Sequence, residues 1–258
     1  MDLIYRGYLL WLRINQPFKY FKCPSLIGGF FYFLKKTLVT QKVSIVLRRK
    51  MKDNIDNKAR IRLEAHDLFM QYGLKSISMD DIASKMGISK KTIYQSYADK
   101  ESLVVEVITT IINHNQEKCD IDRKIATDAI HEIFLAMDQM SQLFHHMNPS
   151  ILFDLQKYYA QGFEVFKSHK NNYLFEVIKK NIQRGVIEEL YRPDINVEIM
   201  ARYRLESIVI PFNPEFHSKI KFTLAQIAEE LSKHFLFGIV SQKGHKLSLK
   251  YIQAKIKK

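Results

Sequence analysis

The chain has 258 residues, 47% of them apolar, which is enough for a buried core in one large domain or two modest ones. Its net charge of +13 is uneven: the first fifty residues hold ten lysines and arginines but one acid, so nine of the thirteen excess charges lie there. This distribution excludes a basic surface spread over the whole protein, and any contact with a polyanion must be local in the remainder. The two cysteines, Cys23 and Cys119, lack metal-ligand spacing, which argues against a disulfide framework and favours a reducing cytoplasm.

Residues 1–50 form a basic, aromatic extension in which prolines and glycines interrupt any helical period. Its longest uncharged run, residues 23–34, has 12 residues, whereas a bilayer span needs about 20, so we expect no stable membrane insertion. Three interpretations stay open: a disordered basic arm, a patch that binds a membrane surface, or an extension translated from an upstream start. The last is favoured, because Met51 opens a polar lead-in to the first helix.

The pattern becomes helical from about residue 57 onward. Apolar residues recur at helical spacing over 57–72, and Gly73 follows where a left-handed C-cap is expected. The sequence SMDD (78–81) is a capping box, with a serine at the N-cap and a carboxylate at the third helical position. It predicts a second, short helix that ends at Gly87.

A third helix is predicted directly after this glycine. Ser89 is its N-cap, Ile93 and Tyr97 form its inward pair, and Asp99 caps a fourth helix. Two short helices joined by a glycine-containing turn are typical of the helix-turn-helix unit, whose second helix enters the major groove of DNA.

The outward face of the third helix carries groups suited to DNA. With Ile93 inward, a rotation of about 100° per residue points Lys91 and Gln95 away from the core and places Thr92 and Tyr94 on the flanks. Lysine can donate to guanine and glutamine can pair with adenine, while hydroxyl groups suit phosphate oxygens. Lys90 lies nearer the core, but its long stem still reaches a base edge or a phosphate.

Taken singly, these features have structural explanations, because serine and aspartate cap helices in any all-α protein. Their co-occurrence within SMDDIASKMGISKKTIYQSYADKESL (78–103) is more specific. This stretch resembles the DNA-binding domain of TetR/AcrR-family regulators, and the resemblance covers residues 57–104. It rests on the IA pair of the second helix, the turn glycine, the Thr-x-Tyr of the third helix and the Lys-x-x-Leu that opens the fourth.

The resemblance implies roles for individual residues. Ser78, Thr92, Tyr94 and Lys100 would hold phosphates, and Lys90, Lys91, Gln95 and Ser96 would read bases. Ser89 is also a candidate for DNA contact, because the amide groups at the helix start that it caps suit phosphate oxygens. The chain departs from the family pattern at Lys91, which stands where glycine, alanine or proline is common, and at Tyr97, which replaces phenylalanine. The first departure puts base preference in doubt, and the second only adds a hydroxyl.

Residues 105–258 continue without strand-like alternation, so the expected fold class is all-α. The expected domains are the extension 1–50, a three-helix DNA-binding domain 51–104, and a helical ligand-binding and dimerisation domain 105–258. Helices are predicted at 99–118, 122–146, 149–167, 171–189, 194–210 and 219–241. The segment 181–203 also resembles such regulators, although Glu189 stands where a glycine is expected.

Two apolar stripes mark the last two predicted helices. One comprises Ile195, Ile199, Met200, Tyr203 and Ile208, and the other comprises Ile220, Leu224, Ile227, Leu231, Phe235 and Leu236. A stripe alone fits an internal core as well as an interface. The family resemblance implies that these two helices pair across a two-fold axis, which would set two recognition helices one DNA turn apart.

Aromatic and methionine side chains of the middle helices are the candidates for an effector site. We name Phe134, Met137, Met140, Phe144, Phe153, Tyr159 and Phe163. Such residues more often form core than pocket. If they line a pocket, its ligand is a small apolar molecule.

No catalytic, metal or cofactor motif accompanies these elements. His131-Glu132 lacks a second histidine four residues on, and the adjacent pair His145-His146 points in two directions along a helix. The sequence therefore predicts a non-enzymatic, ligand-responsive, homodimeric repressor that binds a palindromic operator in double-stranded DNA. The alternative is a membrane-surface or protein-interaction adaptor that uses the basic extension.

Overall fold

The computed structural model describes residues 56–145, 147–219 and 221–256, and these belong to one compact unit. The basic extension, the proposed start at Met51 and the stripe residue Ile220 lie outside the described residues. Twelve α-helices of the described chain are named here in chain order, with two short segments of other helix types. They are α1 (Asn57–Tyr72), α2 (Met79–Met86), α3 (Lys90–Tyr94), α4 (Lys100–Ile125), α5 (Ala129–Phe144), α6 (Ile151–Tyr158), α7 (Ala160–Ser168), a π-helical turn (His169–Leu174), α8 (Phe175–Ile187), α9 (Val197–Ser207), a 3-10 turn (Ile210–Phe212), α10 (Pro214–Ser218), α11 (Leu224–Ile239) and α12 (Gln242–Ile256).

This architecture confirms the all-α prediction, since no strand occurs in the part of the chain that the structure describes. Helices α1 to α3 form the predicted N-terminal three-helix unit, and α1 packs against both α2 and α4. Helix α5 packs against α11, and α8 packs against α9. Helices α8, α11 and α12 therefore pack around α5, whereas α7 packs against α4 and α6 packs against α7.

Two large hydrophobic clusters hold the helices together. The first joins α1, α2 and α3 to α4 and also contains Ile151, Leu155 and Tyr159. The second lies among α5, α8, α9 and α11. The first core is continuous across the expected domain boundary at residue 104, because α4 supplies buried residues on both sides of it.

Several helix boundaries differ from the predicted ones. Helix α4 runs to Ile125, and Ala126 then turns to extended geometry before Asp128 caps α5. The predicted helix 149–167 is two helices, because Tyr159 leaves helical geometry (φ −135°, ψ 73°) and its buried hydroxyl donates to the Leu74 carbonyl at 3.3 Å. A single tertiary hydrogen bond and the burial of one ring are invisible to helical periodicity.

The sequence analysis also missed α12. Its lysines and Gly244 dilute the apolar pattern, yet Leu247, Tyr251 and Ile252 pack against the second cluster. The Ser241 hydroxyl accepts from the Gly244 amide at 3.1 Å, which caps the start of this helix.

Glu189 occupies the left-handed region that normally calls for glycine, with a φ of 59°. This conformation costs a residue with a Cβ about 1 kcal/mol or more. The departure noted in the sequence is therefore a strained turn after α8, stabilised in part by an ion pair from Lys243 at 3.3 Å.

We expect the variant Glu189→Gly to have a higher free energy of unfolding than Glu189→Ala, by about 1 kcal/mol. Both variants lose the Lys243 ion pair, but only glycine relieves the backbone. Urea unfolding at fixed protein concentration measures the difference. Equal midpoints for the two variants would show that the left-handed backbone carries no strain.

Candidate DNA interface and internal cavity

The helix-turn-helix unit is shaped by local capping. The Ser78 hydroxyl accepts from the Asp81 amide at 3.1 Å, and the Asp81 carboxylate accepts from the Ser78 amide at 2.7 Å, which completes the capping box of α2. Gly87 then takes a left-handed conformation (φ 66°) and turns the chain, and the Ser89 hydroxyl accepts from the Thr92 amide at 3.2 Å at the start of α3. These local contacts orient α3 against α2.

Buried side chains seat α3 on the rest of the unit. Ile93 is fully buried and Tyr97 is 3% exposed, as the inward pair predicts. The added hydroxyl of Tyr97 donates to the Lys58 carbonyl at 3.2 Å, and burial raises the pKa of this phenol. Helix α3 is thereby tied to the start of α1.

The outer face of α3 is open. Lys91, Gln95 and Tyr94 are exposed, and no carboxylate among the described residues pairs with Lys91. Lys90 is also exposed, but its ammonium lies 2.9 Å from the Asp80 carboxylate, which raises the pKa of Lys90. A basic, hydrogen-bonding surface therefore covers this side of the short helix.

Thr92 and Ser96 are half-buried at the edges of this surface. The Thr92 and Ser89 hydroxyls share a hydrogen bond of 2.8 Å, and the Ser78 hydroxyl donates to Asp81 at 2.7 Å. A hydroxyl has one proton to donate, so a phosphate contact by Ser78 would replace its bond to Asp81, while one of the Ser89 and Thr92 hydroxyls keeps a proton for a phosphate.

The Lys100 ammonium has partners of its own within the protein. Its ammonium donates to the Leu74 carbonyl and stands 5.7 Å and 5.2 Å from the ring centres of Phe69 and Tyr159, and burial lowers the pKa of this lysine. The phosphate role of Lys100 stays a prediction, and it requires the ammonium to leave these partners.

A cavity of about 290 Å³ lies between the end of α1 and the helices that follow α3. Its wall includes Met70 of α1, Ile108 and Ile112 of α4, and side chains from α5, α6, α8, α9 and the 3-10 turn. Most of the lining is aliphatic or aromatic. Such a space can hold a small apolar body away from water.

Two of the seven predicted ligand residues, Met140 and Phe144, line this cavity. The other five lie elsewhere. Phe134 and Met137 are buried in the second cluster, Tyr159 is buried in the first, Phe163 packs against the first, and Phe153 is 41% exposed. Sequence analysis did not name the α4 isoleucines that face the cavity, because their helical spacing is equally that of core residues.

Charged groups also occur in the cavity wall. Glu132 is 9% exposed and lies 3.4 Å from the Arg184 guanidinium and 3.9 Å from that of Arg123. Burial raises the pKa of Glu132 in spite of these two cations. In the described part of the chain, no three histidine, cysteine or acidic side chains come together as a metal site.

Comparisons with known proteins agree with this geometry. A profile described as "Bacterial regulatory proteins, tetR family" matches residues 61–107, which contain α2, α3 and most of α1. The chain carries the DNA-binding domain of the TetR family of transcriptional regulators. It is therefore a DNA-binding regulator, and proteins of this family are not enzymes.

Two relatives of this regulator match it over different lengths and at different identities. The uncharacterized HTH-type regulator YvaF of Bacillus subtilis is 24% identical over 186 residues, which are 70% of this chain and 95% of YvaF. An HTH-type regulator of Staphylococcus aureus is 42% identical over 62 residues, but these are 24% of this chain and 34% of that protein. Sequence similarity is therefore stronger but shorter in this second match.

Solved structures share the fold over most of the described chain. A TetR-family regulator from Agrobacterium tumefaciens has a TM-score of 0.60 at 12% identity and covers 72% of this chain and 100% of its own. A transcriptional regulator from Cytophaga hutchinsonii has a TM-score of 0.55 at 21% identity with the same coverage. At such low identity these structures establish the fold alone.

Proposed function

We propose that this protein is a ligand-responsive, homodimeric, cytoplasmic repressor that binds a palindromic operator through α3. The observation that carries the proposal is the exposed face of α3. Lys91 and Gln95 are exposed to solvent there, whereas Ile93 on the opposite side of the helix is buried. A short helix seated in this way presents its side chains to base edges without reorganisation. Tyr94, Thr92 and the serine caps are positioned to hold the flanking phosphates.

Two recognition helices are needed to read a palindrome, so the proposal includes a two-fold dimer. The stripe on α9 supports it, since Ile199 is 63% exposed and Tyr203 is 46% exposed. The stripe on α11 is mostly internal, because Leu224, Ile227 and Leu236 are buried in the chain's own core. We therefore place the interface on the outer faces of α9 and α11.

The cavity borders the DNA-binding unit, and this shared wall supports a regulatory role for a bound ligand. Met70 of α1 lies in its wall, and the Met70 carbonyl accepts from the Asn148 amide at 2.6 Å, just before α6. A second bond joins the same two regions, because the Asp154 carboxylate of α6 accepts from the Lys75 amide, just after α1, at 3.0 Å. A ligand that fits only one arrangement of α4 and α6 would bias the separation of the two recognition helices.

Site selection from random duplex DNA with the full-length protein tests this function. We expect enrichment of a palindrome with half-sites about one helical turn apart and a steep loss of affinity with salt. Absence of enrichment at moderate salt would contradict the proposal and direct attention to the basic extension and anionic lipid.

Replacing Lys91 should relax base preference. We expect Lys91→Ala to lose roughly tenfold or more of its discrimination at one base position of each half-site, because a bidentate base contact is worth about 1–3 kcal/mol. Affinities for the selected site and its single-base variants measure this loss. Lys124→Ala, an exposed lysine near the far end of α4, is the matched control and should leave preference unchanged. Unaltered discrimination in Lys91→Ala would remove this residue from base reading.

A further inference from the structure

Arg204 is a buried cation in the cavity wall. Its side chain lies on α9, the residue is 9% exposed, and the guanidinium carbon stands 5.4 Å from the centre of the Phe235 ring. One terminal nitrogen donates to the Ser232 hydroxyl at 2.8 Å and the other to the Ser207 hydroxyl at 3.3 Å. Both partners are neutral, so the positive charge is hydrogen-bonded but not balanced.

No carboxylate among the described residues forms an ion pair with Arg204. Burial accordingly lowers the pKa of this guanidinium to about 10, which still leaves it charged at neutral pH. An unpaired charge in an apolar site is costly, and proteins ordinarily supply a counter-ion.

Arg123, the other arginine of the cavity wall, differs in this respect. It shares the Glu132 carboxylate with Arg184, which lies outside the wall, so these three charges are paired within the chain. The Asp122 carboxylate, also in the wall, accepts from the neutral Gln139 amide group. Arg204 alone among the arginines of the cavity wall lacks an acidic partner in the described residues.

We propose that the cavity binds an amphiphile with a single carboxylate head, which pairs with Arg204, and an aliphatic body, which lies against the apolar wall. This inference rests on the proposed role of the cavity as the effector site. One carboxylate neutralises one guanidinium, whereas a doubly charged phosphate would leave an excess negative charge in the same apolar space. The Ser207 and Ser232 hydroxyls hold the planar guanidinium in place for two parallel hydrogen bonds.

The volume of the cavity limits the size of the ligand. About 290 Å³ is near the lower end for ligand cavities, which begin at roughly 300 Å³. The expected ligands are therefore medium-chain fatty acids and aliphatic acids of similar size, rather than long-chain acids or their large thioesters.

Calorimetric titration of the full-length protein with three ligands of one chain length tests the assignment. The ligands are decanoate, decanol and decyltrimethylammonium, which differ only in the head group. We expect decanoate to bind at least about tenfold more tightly than decanol, as a charge-assisted hydrogen bond in a buried site requires. The cationic ligand should bind least.

Arg204→Met should abolish the preference for decanoate while decanol binding persists. Arg202→Met is the matched control, since Arg202 lies on the same helix with a side chain 55% exposed, and it should retain the preference. Arg204→Gln, which keeps a donor for Ser232, repeats the test should the methionine variant not fold. A purely structural Arg204 would lose stability on replacement without changing the ratio of the two affinities.

Equal binding of decanoate and decanol by the wild type, or an unchanged ratio in the Arg204 variants, overturns the inference. Operator binding is measured separately on the unliganded protein. A selected palindrome without binding of any ten-carbon ligand refutes the carboxylate site and leaves the regulator intact. An Arg204-dependent preference without operator binding supports the site and refutes the proposed function.

Discussion

Gly185→Ala is expected to lower the free energy of unfolding by about 3 kcal/mol, the upper part of the range for overpacking a core. A Cβ at this position would overlap the Tyr191 ring, which is 1% exposed. The ring cannot swing aside, because its hydroxyl donates to the Ala129 carbonyl at 3.1 Å and lies 3.0 Å from the Asn181 amide oxygen. The Gly185 carbonyl also accepts from the Tyr191 amide at 2.9 Å, which fixes the backbone of the turn.

Gly238→Ala is the matched control for this variant. Gly238 also lies in a helix, but no atom of the described residues stands within 4 Å of an added Cβ. We expect a gain of about 0.5–1 kcal/mol, because alanine restricts the unfolded chain more than glycine does. Urea unfolding of both full-length variants at one protein concentration gives the comparison. Similar midpoints for the two variants would mean that the Tyr191 contact is not tight.

Ile93→Ala is expected to cost about 3 kcal/mol of stability and to reduce operator affinity as well. Ile93 is fully buried and is the inward anchor of a helix with five residues. So short a helix has no stability of its own and depends on this packing. Denaturant unfolding and binding to the selected operator measure the two effects.

Ile121→Ala removes the same atoms from a residue of α4 that is 50% exposed. We expect a change within about 0.5 kcal/mol and full operator affinity. Should Ile93→Ala bind DNA normally, α3 must be held by its caps and by Tyr97 alone, and the anchoring role of Ile93 would be wrong.

The DNA-binding unit could be predicted from the sequence because its determinants are local. The capping box at Ser78, the turn at Gly87 and the cap at Ser89 each act within a few residues, and the structure shows all three. Inward and outward faces of α3 followed from helical rotation alone. The bonds of Lys100 and Lys90 could not be foreseen, since their partners, Leu74 and Asp80, lie on other elements.

The cavity could not be located from periodicity, because a helix face looks the same whether it meets a neighbour or an empty space. Met137 and Met140 are one turn apart on α5, yet Met137 is buried in the second cluster and Met140 lines the cavity. The unpaired charge of Arg204 could not be predicted from the sequence either. Ser207 lies three residues further along α9, but only the structure shows that the second partner is Ser232 of α11 and that no acid among the described residues pairs with Arg204.

Met70 belongs to the first helix of the DNA-binding unit and also to the wall of the cavity. Any coupling through this shared wall is reciprocal, so a ligand that weakens operator binding by some factor must itself bind the operator-held protein more weakly by that factor. As the ligand concentration rises, protein molecules that are not bound to DNA would then bind the ligand before those on the operator do. The concentration at which the regulated gene responds would therefore depend on how much of the protein the cell holds in excess of its operators.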